Sequence, residues 1–484
     1  MNPVKASAAL WTALLSLSGC PGSVPDSQSF AADIEYPDAE YTDGLADAGQ
    51  GDTVADAGHT DAGTPDAVVV DSGPCKATAC PMITTSCMEA VCLQGKCGVD
   101  TRMNGYACAA LKACKNGACV SQAGFGQQVG AGYEHSCTLH GGGKVSCWGG
   151  NIAGELGNGV GGIAKGSLIP VPVGIDKVSW LDIRRRTSCA VRYDGDVSCW
   201  GDNFFGQLGV GSKGNDGPLG VPTDVKSLTE AVAVAVGDHH VCARTANGAV
   251  FCWGDNFYGQ LGGGKQAALL VATAVPSLSG VLALAAGGEH TCAISTDGLV
   301  RCWGSNSHGQ VGSGQPGNQA AVKTPAVVIG LPGPAKLLAA GADHTCALLT
   351  DKKVWCWGKG SSGQLGGGSK PSIQVAPAPV KGLKDSLDVA ADGNQTCART
   401  LGGSVYCWGN GASGQLGLLS DGLSSSEPVM IKGLGGAMGM SVGHDHVCAI
   451  RSDLSVWCWG LGGSGQLGDG NAKDSAGTVK VSGS

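Results

Sequence analysis

From about Phe125 to Ser484 apolar and polar residues alternate over short runs such as Val145-Ser146-Cys147-Trp148, and glycines punctuate the runs. Period-two patterning of this kind predicts strands with one buried face. The 83 glycines and 5% aromatic content fit many short elements joined by tight turns and argue against long helices. The pattern occurs seven times. Its landmark cysteine stands at Cys137, Cys189, Cys242, Cys292, Cys346, Cys397 and Cys448, at intervals of 52, 53, 50, 54, 51 and 51 residues. A period near 50 with strand-like alternation signals a propeller or another closed array.

Ten residues after each landmark lies a second cysteine, at Cys147, Cys199, Cys252, Cys302, Cys356, Cys407 and Cys458, and every one is followed by Trp-Gly. Cys189 and Cys199 are centred on Asp194, so an antiparallel pairing that opposes them needs the three-residue loop Tyr193-Asp194-Gly195. Such a loop is a type I turn followed by a left-handed residue, usually glycine. Gly143, Gly195, Gly248, Gly298 and Gly403 occupy that place, and Lys352 and Leu454 are the exceptions. Counting outward from the turn, the cysteines fall on a non-hydrogen-bonded pair, whose α-carbons approach to about 4.5 Å. Seven disulfides within the repeats follow, each stabilising its hairpin by up to about 3 kcal/mol in the chain-entropy model.

Charge and cysteine content change the picture at the N-terminus. The segment Pro21–Asp71 holds ten Asp, two Glu and no Lys or Arg, against a net charge of −8 for the whole chain. The repeats are therefore close to neutral and present no field for nucleic acid. Lys5, the apolar run Ala6–Leu17 and then Leu17-Ser18-Gly19-Cys20 read as a secretory signal, because about 12 apolar residues cannot span a bilayer. The last four resemble a bacterial lipobox, which implies cleavage before Cys20 and its lipidation, a bacterial lipoprotein exported to the envelope, with the outer membrane as the expected site. Removing Cys20 turns an odd count of 23 cysteines into an even one. Residues 20–74 form an acidic, Asp-Ala-Gly-rich linker expected to be disordered, with a reach of about 40 Å. Residues 75–121 carry Cys75, Cys80, Cys87, Cys92, Cys97, Cys108, Cys114 and Cys119. Without a Cys-x-x-Cys pair or a nearby His, four disulfides fit this small module better than zinc, and Cys92–Cys97 and Cys114–Cys119 read as a duplicated unit with a turn inside each pair.

Five repeats contain Gly-Gln-Leu-Gly, beginning at Gly206, Gly259, Gly363, Gly414 and Gly465, and two carry Gly154-Glu155-Leu156-Gly157 and Gly309-Gln310-Val311-Gly312. With Gly-x-x-His-Ser/Thr before the landmark and Cys-Trp-Gly after the hairpin, the chain resembles the regulator of chromosome condensation repeat family over about 360 residues. The resemblance implies an all-β, seven-bladed β-propeller of four-stranded blades over 125–484; the residues before it read as the signal peptide (1–19), the linker and the disulfide module. Unit one lacks the extended stretch that precedes later landmarks, such as Pro170-Val171-Pro172-Val173, so the tail Thr478-Val479-Lys480-Val481 is expected to pair into the first blade and hide an open edge.

His135, His240, His290, His344 and His446 precede five landmarks, with Thr187 and Gln395 in the other two. Symmetric positions on a wide ring lie too far apart to share an ion, so these read as structural residues, and no metal or cofactor is expected. The seven Trp of Cys-Trp-Gly read as core. No nucleophile, base or phosphate-loop constellation appears, so no catalytic residue is assigned. One break in symmetry stands out. Arg184-Arg185-Arg186 replaces a Gly-x-x stretch that carries acids in other repeats, Glu134 and Asp238 among them, and either binds an anionic ligand or pairs with those neighbours. The expected function is a non-enzymatic, lipid-anchored, monomeric scaffold whose propeller rim binds a protein, peptide or glycan, with the lipid as its sole membrane contact. The competing readings are a nucleotide-exchange regulator, which the resemblance implies for the founding member, and a hydrolase with an unrecognised site.

Overall fold

The computed structural model describes residues 127–160, 166–214, 219–314, 321–418 and 424–484, together with the backbone of four short strands between 88 and 121. The signal peptide, Cys20, the acidic linker and the sulfur pairing of the cysteine-rich module lie outside the described residues. In that module Met88–Leu93 pairs with Lys96–Thr101 and sets Cys92 opposite Cys97. Lys112–Lys115 pairs with Ala118–Ser121 in the same module.

Residues 128–480 build seven antiparallel sheets of four consecutive strands each. In the first, Gln128–Ala131, His135–Leu139, Val145–Gly149 and Ser167–Pro172 lie side by side in chain order. Local chemistry sets the register. In the second sheet the Arg192 N–H donates to the Asp196 carbonyl, the Gly195 N–H donates to the Arg192 carbonyl, and Gly195 takes a φ of +86°. Lys352 and Leu454, where glycine is missing, are forced into the same left-handed region at +66°. Three pairs beyond the Arg192–Asp196 pair that closes the turn, Cys189 faces Cys199, and all seven such pairs are disulfides with Cα separations of 4.0–4.1 Å.

The core lies between blades, not within them. One face of each hairpin presents its cystine and flanking valines to the next blade, as Cys189, Val191, Val197 and Cys199 do to Val234, Val236, Val241 and Trp253. The other face presents a small residue, Ala190, Ala243, Ala293, Ala347, Ala398 or Ala449, each wholly buried, so that sheets pack closely.

Ring closure departs from expectation. The tail does not enter the first blade: Ser475–Lys480 pairs with Val456–Gly460 as the outer strand of the seventh sheet. The extended stretch before each landmark is in fact the outer strand of the preceding blade, so the first sheet lacks nothing and has no vacancy to fill. The ends meet face to face instead, with Trp148 of the first blade packed among Cys448, Ile450, Cys458 and Leu467 of the seventh. Outer edges remain open, and five of the seven outer strands carry proline, at Pro170, Pro222, Pro325, Pro377 and Pro428, which withholds an N–H from any added strand.

The turn geometry makes a paired prediction for chemical denaturation. Leu454→Gly should raise stability by about 0.5–1 kcal/mol by relieving a left-handed side chain, and Gly195→Ala should lower it by about 1–2 kcal/mol. A Cβ on Gly195 would sit 2.8 Å from the Glu230 Cα.

Candidate functional site

Strand alternation places the Gly-x-x-His loops and the loops after Cys-Trp-Gly at one end of the ring and the hairpin turns at the other. The two loops of each blade are joined there by one backbone bond, from Gly150 N to Glu134 O, Asp202 N to Arg186 O, Asp255 N to His239 O, and so around the ring.

Beneath these loops the histidines are wholly buried, each with its Nε2 bonded to the next blade. His135 Nε2 lies 2.9 Å from Ser188 Oγ on the next blade, and His240, His290, His344 and His446 reach Thr291, Thr345, Thr396 and Ser136 in the same way. Four of those hydroxyls donate onward to a glutamine carbonyl, so in those four pairs the imidazole Nε2 is the donor. Burial, first among its causes, pushes His135, His240, His290 and His344 down to about 3 and His446 to about 4. Of the two positions without histidine, Gln395 still bridges two blades, its Nε2 donating to the Gly443 carbonyl, whereas the buried Thr187 hydroxyl has no hydrogen-bond partner among the described residues. All seven indoles of Cys-Trp-Gly donate to the carbonyl of the Gly-Gln/Glu-Leu/Val-Gly motif on the preceding blade, at 2.7–2.9 Å.

The three arginines part company. Arg184, at the end of an inner strand, is 6% exposed and stands on the ring axis. It meets Asp238 at 2.8 Å, Asp392 at 2.6 Å and the Ala340 carbonyl at 2.8 Å, partners drawn from three other blades. Burial alone would lower its pKa, but Asp392 and Asp238 outweigh burial and raise it. Beside it, desolvation pushes the Asp182 carboxyl up to about 7 against the Val236 N–H and Arg184. Arg184 is thus a plug and is not available to an outside anion. Arg185 is 47% exposed and lies 3.6 Å from Asp238. Arg186 lies 3.6 Å from both Glu134 and Glu155. Glu155 stands where other repeats have glutamine, so the one buried acid of the motif explains the basic residue in the next blade. Arg184, Arg185, Arg186, Glu134 and Asp238 do assemble at one end of the ring, chiefly as partners of one another.

The exposed tips of the same end were not singled out from sequence. Phe204 and Phe257 are each 65% exposed. Phe205 rests on the His239 ring at 4.3 Å, and Tyr133 meets His444 at 4.7 Å. The Asp445 hydrogen bond, at 2.6 Å, is the main cause raising the His444 pKa. Glu289 is half-buried and pushed up to about 7 by desolvation and then by Asp238, Asp255 and Asp343. The signal was present in the repeat itself, since Asp202-Asn203-Phe204 and Asp255-Asn256-Phe257 recur in adjacent units and nowhere else. Among the described residues no group of three or more His, Cys, Asp or Glu is placed to hold a metal ion.

Two consequences can be measured. A buried neutral histidine with a depressed pKa leaves more protons on the unfolded chain between pH 6.5 and about 3, so its stabilisation is complete above pH 6.5 and is lost as pH falls. His344→Gln should therefore flatten the pH dependence of unfolding free energy in that window by up to about 1.4 kcal/mol per pH unit. Arg184→Met should destabilise the ring by about 3–5 kcal/mol, because Asp182, Asp238 and Asp392 lose their shared cation. With carboxyl pKa values then raised above their unfolded values, that deficit should be greatest above pH 7 and shrink on acidification.

Comparison with known proteins agrees with this architecture. The "Regulator of chromosome condensation (RCC1) repeat" matches residues 194–244, 247–294, 297–348, 351–399 and 402–450 in tandem. The chain is similar to the E3 ubiquitin-protein ligase HERC2 of Mus musculus, 31% identical over 346 residues, which are 68% of this chain but 7% of that one. It is 29% identical over 365 residues to the ultraviolet-B receptor UVR8 of Arabidopsis thaliana, covering 73% of this chain and 69% of the receptor. Among solved structures, human WBSCR16 superposes with a TM-score of 0.62 at 22% identity, over 70% of this chain and 94% of that one. A crystal structure of Kap60 bound to yeast RCC1 (Prp20) gives 0.57 at 22%, over 66% and 78%. Five tandem repeat matches on a seven-bladed ring, with the same indole-to-carbonyl link in every blade, make this chain a member of the RCC1 repeat family.

Proposed function

We propose that this protein is a non-enzymatic binding scaffold, exported and held to the bacterial envelope through a lipid on Cys20, which presents one end of its propeller to a protein or peptide. The observation that carries the reading is a division between buried and exposed positions. The five buried histidines, the seven indoles of Cys-Trp-Gly and the backbone carbonyls of the Gly-Gln/Glu-Leu/Val-Gly motifs are consumed in linking blades, whereas the loop tips at one end expose Phe204, Phe257, Tyr133 and His444. A rigid frame with variable tips suits recognition.

Two experiments test the reading. Cys20→Ser should abolish incorporation of a labelled palmitate analogue and release the protein from membranes. Crosslinked capture from native envelopes by the full-length protein should lose its specific partner on Phe204→Ala/Phe257→Ala and keep it on Lys353→Ala beside a hairpin turn at the other end of the ring. Equal capture by all three proteins would remove this end as the binding surface.

A further inference from the structure

Blades two and three carry the same surface device twice. Each follows its Cys-Trp-Gly with Asp-Asn-Phe, and in each the phenylalanine projects to the same 65% exposure. Each aspartate is anchored, Asp202 Oδ2 accepting from Gln207 Nε2 and Asp255 Oδ2 from Gln260 Nε2, both at 3.0 Å. The carboxylates are therefore held beside the rings and do not sweep through solvent. On the next blade Glu289 is half-buried, and among the described residues its carboxylate has no hydrogen-bond or ion-pair partner. The charges facing it are Asp238, Asp255 and Asp343, relieved in part by Arg185. Asp343 in turn is shared by Lys359 at 3.3 Å and His308 at 3.6 Å. The acids acting on Glu289 outnumber the one cation, Arg185, that offsets them.

We propose that the loop tips of blades two to four form a docking surface for an extended peptide segment of a partner protein, in which lysine or arginine alternates with apolar residues. The apolar residues would cover Phe204 and Phe257, one blade apart, and a cationic side chain would meet Glu289. Charge complementarity selects this occupant over the chain's own Asp-rich segment, which the same carboxylates repel. Exposed phenyl faces also favour a cation over an anion. This inference rests on the proposed binding role of this end of the ring and adds the chemistry of the partner.

The test is selection of displayed random dodecapeptides on the full-length, disulfide-intact protein, followed by affinity measurement with the enriched peptides. Enrichment of Lys or Arg beside apolar residues is expected. Affinity should fall at least tenfold on Phe204→Ala/Phe257→Ala, severalfold on Glu289→Gln, and steeply with added salt, with no change on Lys353→Ala. An intact disulfide count and unchanged thermal midpoint in each variant exclude a folding defect. Enrichment of acidic peptides, no enrichment above background, or binding indifferent to all three substitutions would overturn the proposal. A dimer of the protein dissolved by Phe204→Ala/Phe257→Ala would seat a second copy there and overturn it too. If envelope capture depends on the phenylalanines while cationic peptides do not bind, the partner chemistry falls and the binding surface stands.

Discussion

Each blade of this ring buries an indole N–H and a hydroxyl or imidazole that find partners only on the neighbouring blade. A buried polar group left unpaired costs about 1–3 kcal/mol, so no blade can separate from its neighbour without exposing several such costs at once. The carbonyl of the Gly-Gln-Leu-Gly motif is the hub. It accepts an indole in all seven interfaces and also a hydroxyl in four of them, and its left-handed glycines hold it at the blade boundary. The interface between the seventh and first blades is built in the same way, with Trp148 and Ser136 both bonded to the Gln466 carbonyl. A ring whose last interface equals its others has no need of a shared strand to close.

The disulfides act at a different level. Each spans ten residues within a single hairpin, so none ties one blade to another. Their contribution is to the register of the hairpin and, through it, to the flat apolar face that the next blade covers. Arg184 acts at a third level. By pairing with acids from two other blades across the axis it makes the inner strands a charged, satisfied centre, and it does so from the one repeat that forgoes the usual glycine.

The proposed binding role falls to what these three levels leave over. The buried imidazole Nε2 atoms and indole N–H groups are committed to hydrogen bonds between blades. The loop tips above them bear no such constraint, and there the blades diverge into aromatic, acidic and histidine-bearing segments.

Blade number, hairpin register, cystine pairing and the structural role of the histidines were all legible in the chain, because they depend on spacing within one repeat or on its recurrence. Closure was misread for want of a frame: a stretch such as Pro170-Val171-Pro172 lies between two landmarks, and sequence does not say which blade its hydrogen bonds serve. Arg184, Arg185 and Arg186 were visible as an anomaly, but their separate fates were not. One turns to the axis, and the others turn to Asp238 and to the Glu134 and Glu155 pair. Glu289 looked ordinary until the ring placed Asp238 and Asp343 of the flanking blades around it. Contacts among residues fifty or more apart are decided by how blades rotate about a common axis, and that rotation exists only once all seven have packed.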